Sequence, residues 1–168
     1  MKRLGLLKTL TTILLVISGI AMFFAVPFVL VVAFLPGSVP FDVNGTKAVD
    51  ASVESILVLA FTVIGYAFNV YALYLFKKVL ELFEKKKFFH DDVIKYFDQI
   101  GKAIIIGYVV MAAPAVLYKM LVEGSVALSV DFDFDETLLT LGLRLFFMVL
   151  SEVFLIAKGL KEENDLTV

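Results

Sequence analysis

The chain has 168 residues, of which 61% are hydrophobic and only 19% charged, with a formal net charge of −2 and no cysteine. An ordinary soluble domain carries about 25% charged residues, so this composition excludes a water-soluble globule. The missing cysteine excludes disulfides, thiolate metal sites and a cysteine nucleophile.

Spanning a bilayer as a helix takes about 20 consecutive apolar residues, and four stretches approach or exceed that length. Residues 9–35 and 55–76 hold no charge, 103–122 holds only Lys119 near one end, and 137–157 holds Arg144 and Glu152. They predict an all-α membrane protein, a four-transmembrane-helix bundle forming one membrane domain over 1–168. The connections are 36–54, 77–102 and 123–136.

In chain order, Lys2, Arg3 and Lys8 precede the first apolar run. A signal-peptide core is only about 7–15 residues long, and this run is longer, so a retained first helix is expected, with a kink or tilt at Pro27. The first loop holds Pro36, Gly37, Pro40 and Gly45, which predicts irregular structure with a short strand at 39–43 and a turn at Asn44-Gly45-Thr46. Past the second span, 77–87 should extend the helix. His90-Asp91-Asp92 then suits the start of a new helix, on which Val93, Phe97, Ile100 and Ile104 recur at helical spacing. In the last loop Val126, Leu128, Val130, Phe132 and Phe134 alternate with small or acidic residues, which predicts a strand pairing with the first loop as a small extracytoplasmic β element.

Orientation follows the basic residues. Twelve of the 15 Lys and Arg lie before residue 9, in 77–102 or after 157, whereas the other two connections hold Lys47 against eight acids. The positive-inside rule predicts both termini and the middle connection in the cytoplasm, with the chain multi-pass in the membrane.

Three groups of residues are candidates for function. The first is an intramembrane polar layer of Arg144, Glu152, Asn69, Tyr66 and Tyr108. At 100° per residue the polar side chains of the fourth span share one arc of about 120° and those of the second about 100°, which predicts that these faces meet inside the bundle. Counting depth from the lysine at the inner end of each span (Lys77, Lys102 and Lys158) puts Glu152, Asn69 and Tyr108 in one layer, with Arg144 about 12 Å from Glu152 along the axis. The layer reads either as a structural network setting helix register or as a water-accessible site in which Arg144 holds an anionic group. The second group is Asp131, Asp133, Asp135 and Glu136, whose alternation in a strand reads as a divalent-cation site or as a solvated acidic surface. The third is a partner-docking surface of His90, Asp91, Asp92, Glu162, Glu163 and Asn164, whose neighbouring lysines alternatively rest on anionic headgroups.

Phe89-His90-Asp91-Asp92 through Ile100-Gly101, after a lysine-flanked second span, and the tail Glu162-Glu163-Asn164-Asp165-Leu166-Thr167-Val168 resemble the DUF2975 family of bacterial four-span membrane proteins. Val93 stands where that family usually has Asn. The resemblance implies the four-span topology and a cytoplasmic helix-turn-helix transcription factor as partner.

No HExxH, GxSxG or glycine-rich phosphate loop is present. The sequence therefore predicts a non-enzymatic regulator or sensor without a cofactor, embedded in the lipid bilayer and not itself binding nucleic acid. The alternatives are a small oligomeric transporter or channel using the Arg/Glu layer, a homo-oligomer in either case, and an accessory subunit of a larger membrane complex.

Overall fold

The computed structural model describes residues 2–35, 42–43, 46–47, 53–122 and 134–166. Four long helices make up nearly all of it: α1 (Lys2–Phe34), α2 (Val53–Glu84), α3 (Asp91–Val122) and α4 (Phe134–Leu166). Each contains a segment long and apolar enough to cross a membrane. The chain is an all-α four-helix bundle.

Between α1 and α2 lies a two-stranded antiparallel hairpin, β1 (Asp42–Val43) with β2 (Thr46–Lys47), in which Asp42 pairs with Lys47 and Val43 with Thr46. The two residues separating the strands are Asn44-Gly45, the pair best suited to a two-residue hairpin loop. The β element thus pairs within the first loop. Most of the expected second strand lies outside the described residues, and its last member, Phe134, opens α4.

Helices that follow one another in the chain pack together: α1 on α2, α2 on α3, α3 on α4. Among the described residues α1 and α4 do not approach each other. The less exposed positions of α1 recur at alternating steps of four and three (Leu4, Lys8, Thr11, Leu15, Ser18, Met22, Ala25, Val29, Val32), which is the seam of a left-handed helix pair. That seam carries Thr11, Ser18 and Ala25, whereas Leu14, Ile17, Phe23, Phe24 and Leu30 point outward. Such an inverted distribution suits a helix whose outer face meets acyl chains.

At the α2–α3 crossing, glycine is required. A Cβ on Gly107 would lie 2.9 Å from the Gly65 carbonyl oxygen, and one on Gly65 would lie 2.7 Å from the Gly107 carbonyl oxygen. Two backbones approaching this closely leave no room for a side chain, the usual solution where lipid supplies no hydrophobic drive between helices. The main core sits toward the opposite end of these helices. It gathers Ala72, Leu75 and Val79 of α2 with Val93, Phe97, Ile100, Ala103 and Ile104 of α3, and α4 adds Phe147, Leu150 and Phe154. Phe97 stacks on Phe147 with centroids 6.0 Å apart and meets Phe154 at 5.5 Å.

The α2–α3 connection is tightly terminated. Lys87 N donates to the Leu82 carbonyl (2.9 Å) and Lys86 N to the Phe83 carbonyl (3.0 Å), with Lys86 at φ 58°. This is the paired hydrogen-bond pattern of a Schellman cap, with lysine at the left-handed position that glycine normally takes. His90 then caps α3: its Nδ1 accepts from Asp92 N at 3.2 Å. Asp91 and Asp92 occupy the first turn, where carboxylates complement the helix dipole.

Candidate functional site: the charged end and the polar residues of the spans

Two ion pairs gather the ends of all four helices. Lys8 of α1 meets Glu84 of α2 at 2.6 Å. Lys158 of α4 meets Asp91 of α3 at 2.5 Å and lies 3.5 Å from Glu162. Both ends of the chain and the α2–α3 connection therefore share one end of the bundle, here called the charged end. Lys161 also lies over the Phe89 ring, 5.8 Å from its centroid. The expected docking residues form one neighbourhood there, linked through Lys158, because α4 continues as a single helix about 12 Å past Lys158 to Leu166. Asp91 and Glu162 both face Lys158, Asp92 lies 3.2 Å from His90 Nδ1, and Glu163 and Asn164 are exposed on the α4 extension.

The polar residues of the spans can be levelled against one another from the contacts. Ser151 Oγ donates to the Ile94 carbonyl (2.9 Å), and the Arg144 carbonyl oxygen lies 3.5 Å from where a Gly101 Cβ would stand. Antiparallel α3 and α4 thus place Arg144 level with Gly101 and Glu152 level with Val93. The Gly65–Gly107 crossing likewise places Asn69 level with Ala103, Tyr66 with Ile106 and Tyr108 with Ile64. Arg144, Asn69, Tyr66 and Tyr108 consequently lie within about 10 Å along the axis, whereas Glu152 stands about 12 Å nearer the charged end than Arg144.

The expected single layer is therefore drawn apart. Its depth count assumed that each helix meets the membrane surface at its inner-end lysine, but the helices are staggered. Lys102 of α3 is level with Val70 of α2, not with Lys77. Glu152 is also turned away from the packed side of α4, on which Thr140, Arg144, Phe147, Ser151, Phe154 and Lys158 recur at steps of three and four. At the level of the first turn of α3, an exposed carboxylate is close to the other charges of the hairpin.

Arg144 is half-buried between α3 and α4, and its Nε is buried without a hydrogen-bond partner among the described residues. A buried donor left unmade costs about 1–3 kcal/mol, so among the buried side-chain atoms of the described residues this nitrogen is the one that calls for an acceptor. Asn69 Nδ2 donates to the Gly65 carbonyl at 3.3 Å, the same carbonyl that faces Gly107, although much of its side chain is exposed. Lys102, nearly level with Arg144, pairs with Asp98 at 2.6 Å, one turn toward the charged end.

Of the acidic run, Asp131 and Asp133 lie outside the described residues, whereas Asp135 and Glu136 fall in the first turn of α4. A helix, not the expected strand, therefore carries the second half of that run, and the alternation that would aim three carboxylates at one cation does not continue through Asp135. Among the described residues no cluster of three metal-ligating side chains occurs. Sequence reasoning put Ser151 and Gly65 on the polar faces of their spans but did not foresee that Ser151 ties α4 to α3 or that Gly65 meets Gly107. The small size of these residues within apolar spans was the available signal.

Four helices of membrane-spanning length, their outer faces covered with large apolar side chains, define a multi-pass membrane protein of the four-helix-bundle class. Residues 42–168 match the family model described as Protein of unknown function (DUF2975), and the chain belongs to that family. The matched region begins after α1. Among curated proteins and solved structures nothing matches the chain.

Proposed function

We propose that the protein is a non-enzymatic membrane regulator or sensor whose charged end holds a soluble cytoplasmic protein. The observation that carries this reading is the α4 extension. It is continuous with the last span, tied to the first turn of α3 through Lys158 and Asp91, and leaves Leu160 62% and Leu166 87% exposed on an otherwise charged segment. The two leucines stand about 120° apart round the helix, so they offer a partner two separate apolar contact points on a polar tail. Because the tail and the span are one helix, a shift of α4 against α3 in the bilayer moves the docking face. The concentration of lysine and arginine at this end supports a cytoplasmic placement in a bacterial inner membrane. The helix-turn-helix regulator implied by the family resemblance is the partner class to test first.

Co-purification from native membranes in mild detergent, comparing the intact chain with one ending before Leu160, tests the reading. A small DNA-binding protein retained by the intact chain alone is the expected result. Equal retention by both forms, or by neither, removes the tail as a docking site. Orientation is checked separately by single-cysteine labelling at positions 86 and 47, which the absence of native cysteine makes clean.

A second reading, an oligomeric transporter or channel, is favoured by one observation, the buried Arg144 Nε without a hydrogen-bond partner among the described residues, at the charged-end edge of the polar residues of the spans. An anionic ligand would supply the missing acceptor. Anion flux in proteoliposomes that disappears in Arg144→Gln, with the fold retained, would establish it. The absence of flux in the intact chain would leave Arg144 as a packing residue.

A further inference from the structure

The Lys8–Glu84 pair sets the height of α1 against the α2–α3 hairpin. Glu84 lies seven residues beyond Lys77, about 10 Å along α2, and immediately before the connection Lys85-Lys86-Lys87. From Lys8 onward α1 carries no charge, and Leu10 and Leu14 are about half exposed on its outer face. The apolar surface of α1 therefore starts level with the hairpin tip, well past the Lys77 level at which the uncharged stretch of α2 ends. A bilayer that covers Leu10 and Leu14 has its headgroup band, about 5–7 Å deep on each side, beside the three lysines.

Charge at this end is unequal once the ion pairs are assigned. Glu81 faces Lys77, Glu84 is paired with Lys8, and Asp91 and Glu162 face Lys158, which leaves Glu152 and Glu163 on α4 as exposed acids without an ion pair, whereas Lys85, Lys86 and Lys87 stand consecutively, exposed and with no ion-pair partner among the described residues. Lys86 moreover occupies the left-handed cap position at φ 58°, where glycine would fold more easily. Folding alone does not select a lysine there.

We propose that Lys85, Lys86 and Lys87, together with the outer leucines of the first turns of α1, form a binding surface for anionic phospholipid, the lysines taking the headgroup and α1 the acyl chain. The three lysines and the α1 leucines include no residue of the α4 tail, so substituting them leaves the docking residues proposed above unchanged. An acidic soluble protein could match the lysines, but not the leucine surface that runs from the tip into the span.

The test reconstitutes the full chain in nanodiscs of equal parts phosphatidylglycerol and phosphatidylcholine and measures by mass spectrometry which lipid stays bound on gentle extraction. The intact protein is expected to enrich phosphatidylglycerol several-fold, less so at high salt. The triple variant Lys85→Gln, Lys86→Gly, Lys87→Gln is expected to return to the mixing ratio. Replacing all three by arginine should keep the enrichment. Lys86→Gly relieves the cap, so loss of binding in a variant with an unchanged or raised melting temperature cannot come from unfolding. Enrichment that survives the triple variant overturns the proposal, as does an intact protein without preference. Loss of a captured acidic protein with an unchanged lipid ratio also overturns it.

Discussion

The contact of α1 with α2 and the packing of α2, α3 and α4 at the charged end are built from different materials. The α1 seam interleaves the small residues Thr11, Ser18 and Ala25 with Leu15, Met22, Val29 and Val32 and holds no aromatic ring, while Phe23 and Phe24 turn outward. The charged-end core is made of Val79, Val93, Phe97 and Ile100, all essentially without exposure, ringed by Phe83, Phe147 and Phe154. The difference reflects what surrounds each region. Acyl chains solvate leucine as well as a neighbouring helix does, so helices within the bilayer associate through close backbone approach and polar contacts. The core reaches up to the polar connection at 85–90 and is flanked on the α3 side by Lys95, Asp98 and Lys102, where water is near and burial of aromatic surface provides the drive it provides in a soluble domain. The protein is a membrane bundle at one end and resembles a soluble helical hairpin at the other.

This comparison can be broken most sharply at Phe97. Phe97→Ala removes the ring that α3 inserts between Phe147 and Phe154, and a loss of about 3–5 kcal/mol is expected. Phe23→Ala, of a ring 74% exposed on α1, should change stability in detergent by less than about 0.5 kcal/mol. Equal losses in thermal or denaturant unfolding would show that both regions are held by the same force.

A smaller effect separates two glycines. In Gly107→Ala the new methyl group meets the Gly65 carbonyl, a backbone atom that cannot turn aside, and overpacking of about 1–3 kcal/mol is expected. In Gly101→Ala it meets Met148 Cγ at 3.0 Å, part of a flexible side chain that can re-pack, so a smaller loss should follow. The order is read from melting temperatures of the two variants, and a reversed order would mean that α3–α4 is the tighter crossing.

The smallest effect is expected at Ser151→Ala, which deletes the hydroxyl donated to the Ile94 carbonyl. Hydrogen bonds between membrane helices average about 0.6 kcal/mol, and the Ile94 carbonyl keeps its helical position. A loss well above about 2 kcal/mol would show that α4 is held to α3 by this bond and not by the rings around Phe97.

Much of this architecture was legible in the residues. Two uncharged runs of more than 20 residues and two runs of about 20 residues with one or two charges each have the length and hydropathy of spanning helices, so the four spans and the all-α class followed from composition and length. His90-Asp91-Asp92 marked the start of α3, although the capping atom is the histidine nitrogen and not a carboxylate. The functional residues were less legible. Helical angles correctly put Thr140, Arg144 and Ser151 on one side of α4, but Glu152, 80° further round from Arg144, turns outward. A polar arc indicates which residues share a face, and the neighbouring helix decides how much of that arc is covered.

The sequence by itself determined that the chain is a four-span membrane bundle, where its basic residues concentrate and where its helices start, because these depend on local hydropathy, charge and capping. Only the tertiary structure decided the stagger between helices, and with it which polar residues are level. It brought Asp91 to Lys158 and, among the described residues, left Lys85, Lys86 and Lys87 without an ion-pair partner and the Arg144 Nε without an acceptor. The reason is physical: the height of one helix against the next is set by a few close contacts, Gly65 on Gly107, Ser151 on Ile94 and Lys8 on Glu84, and nothing in the periodicity of a single helix records where its neighbour crosses it.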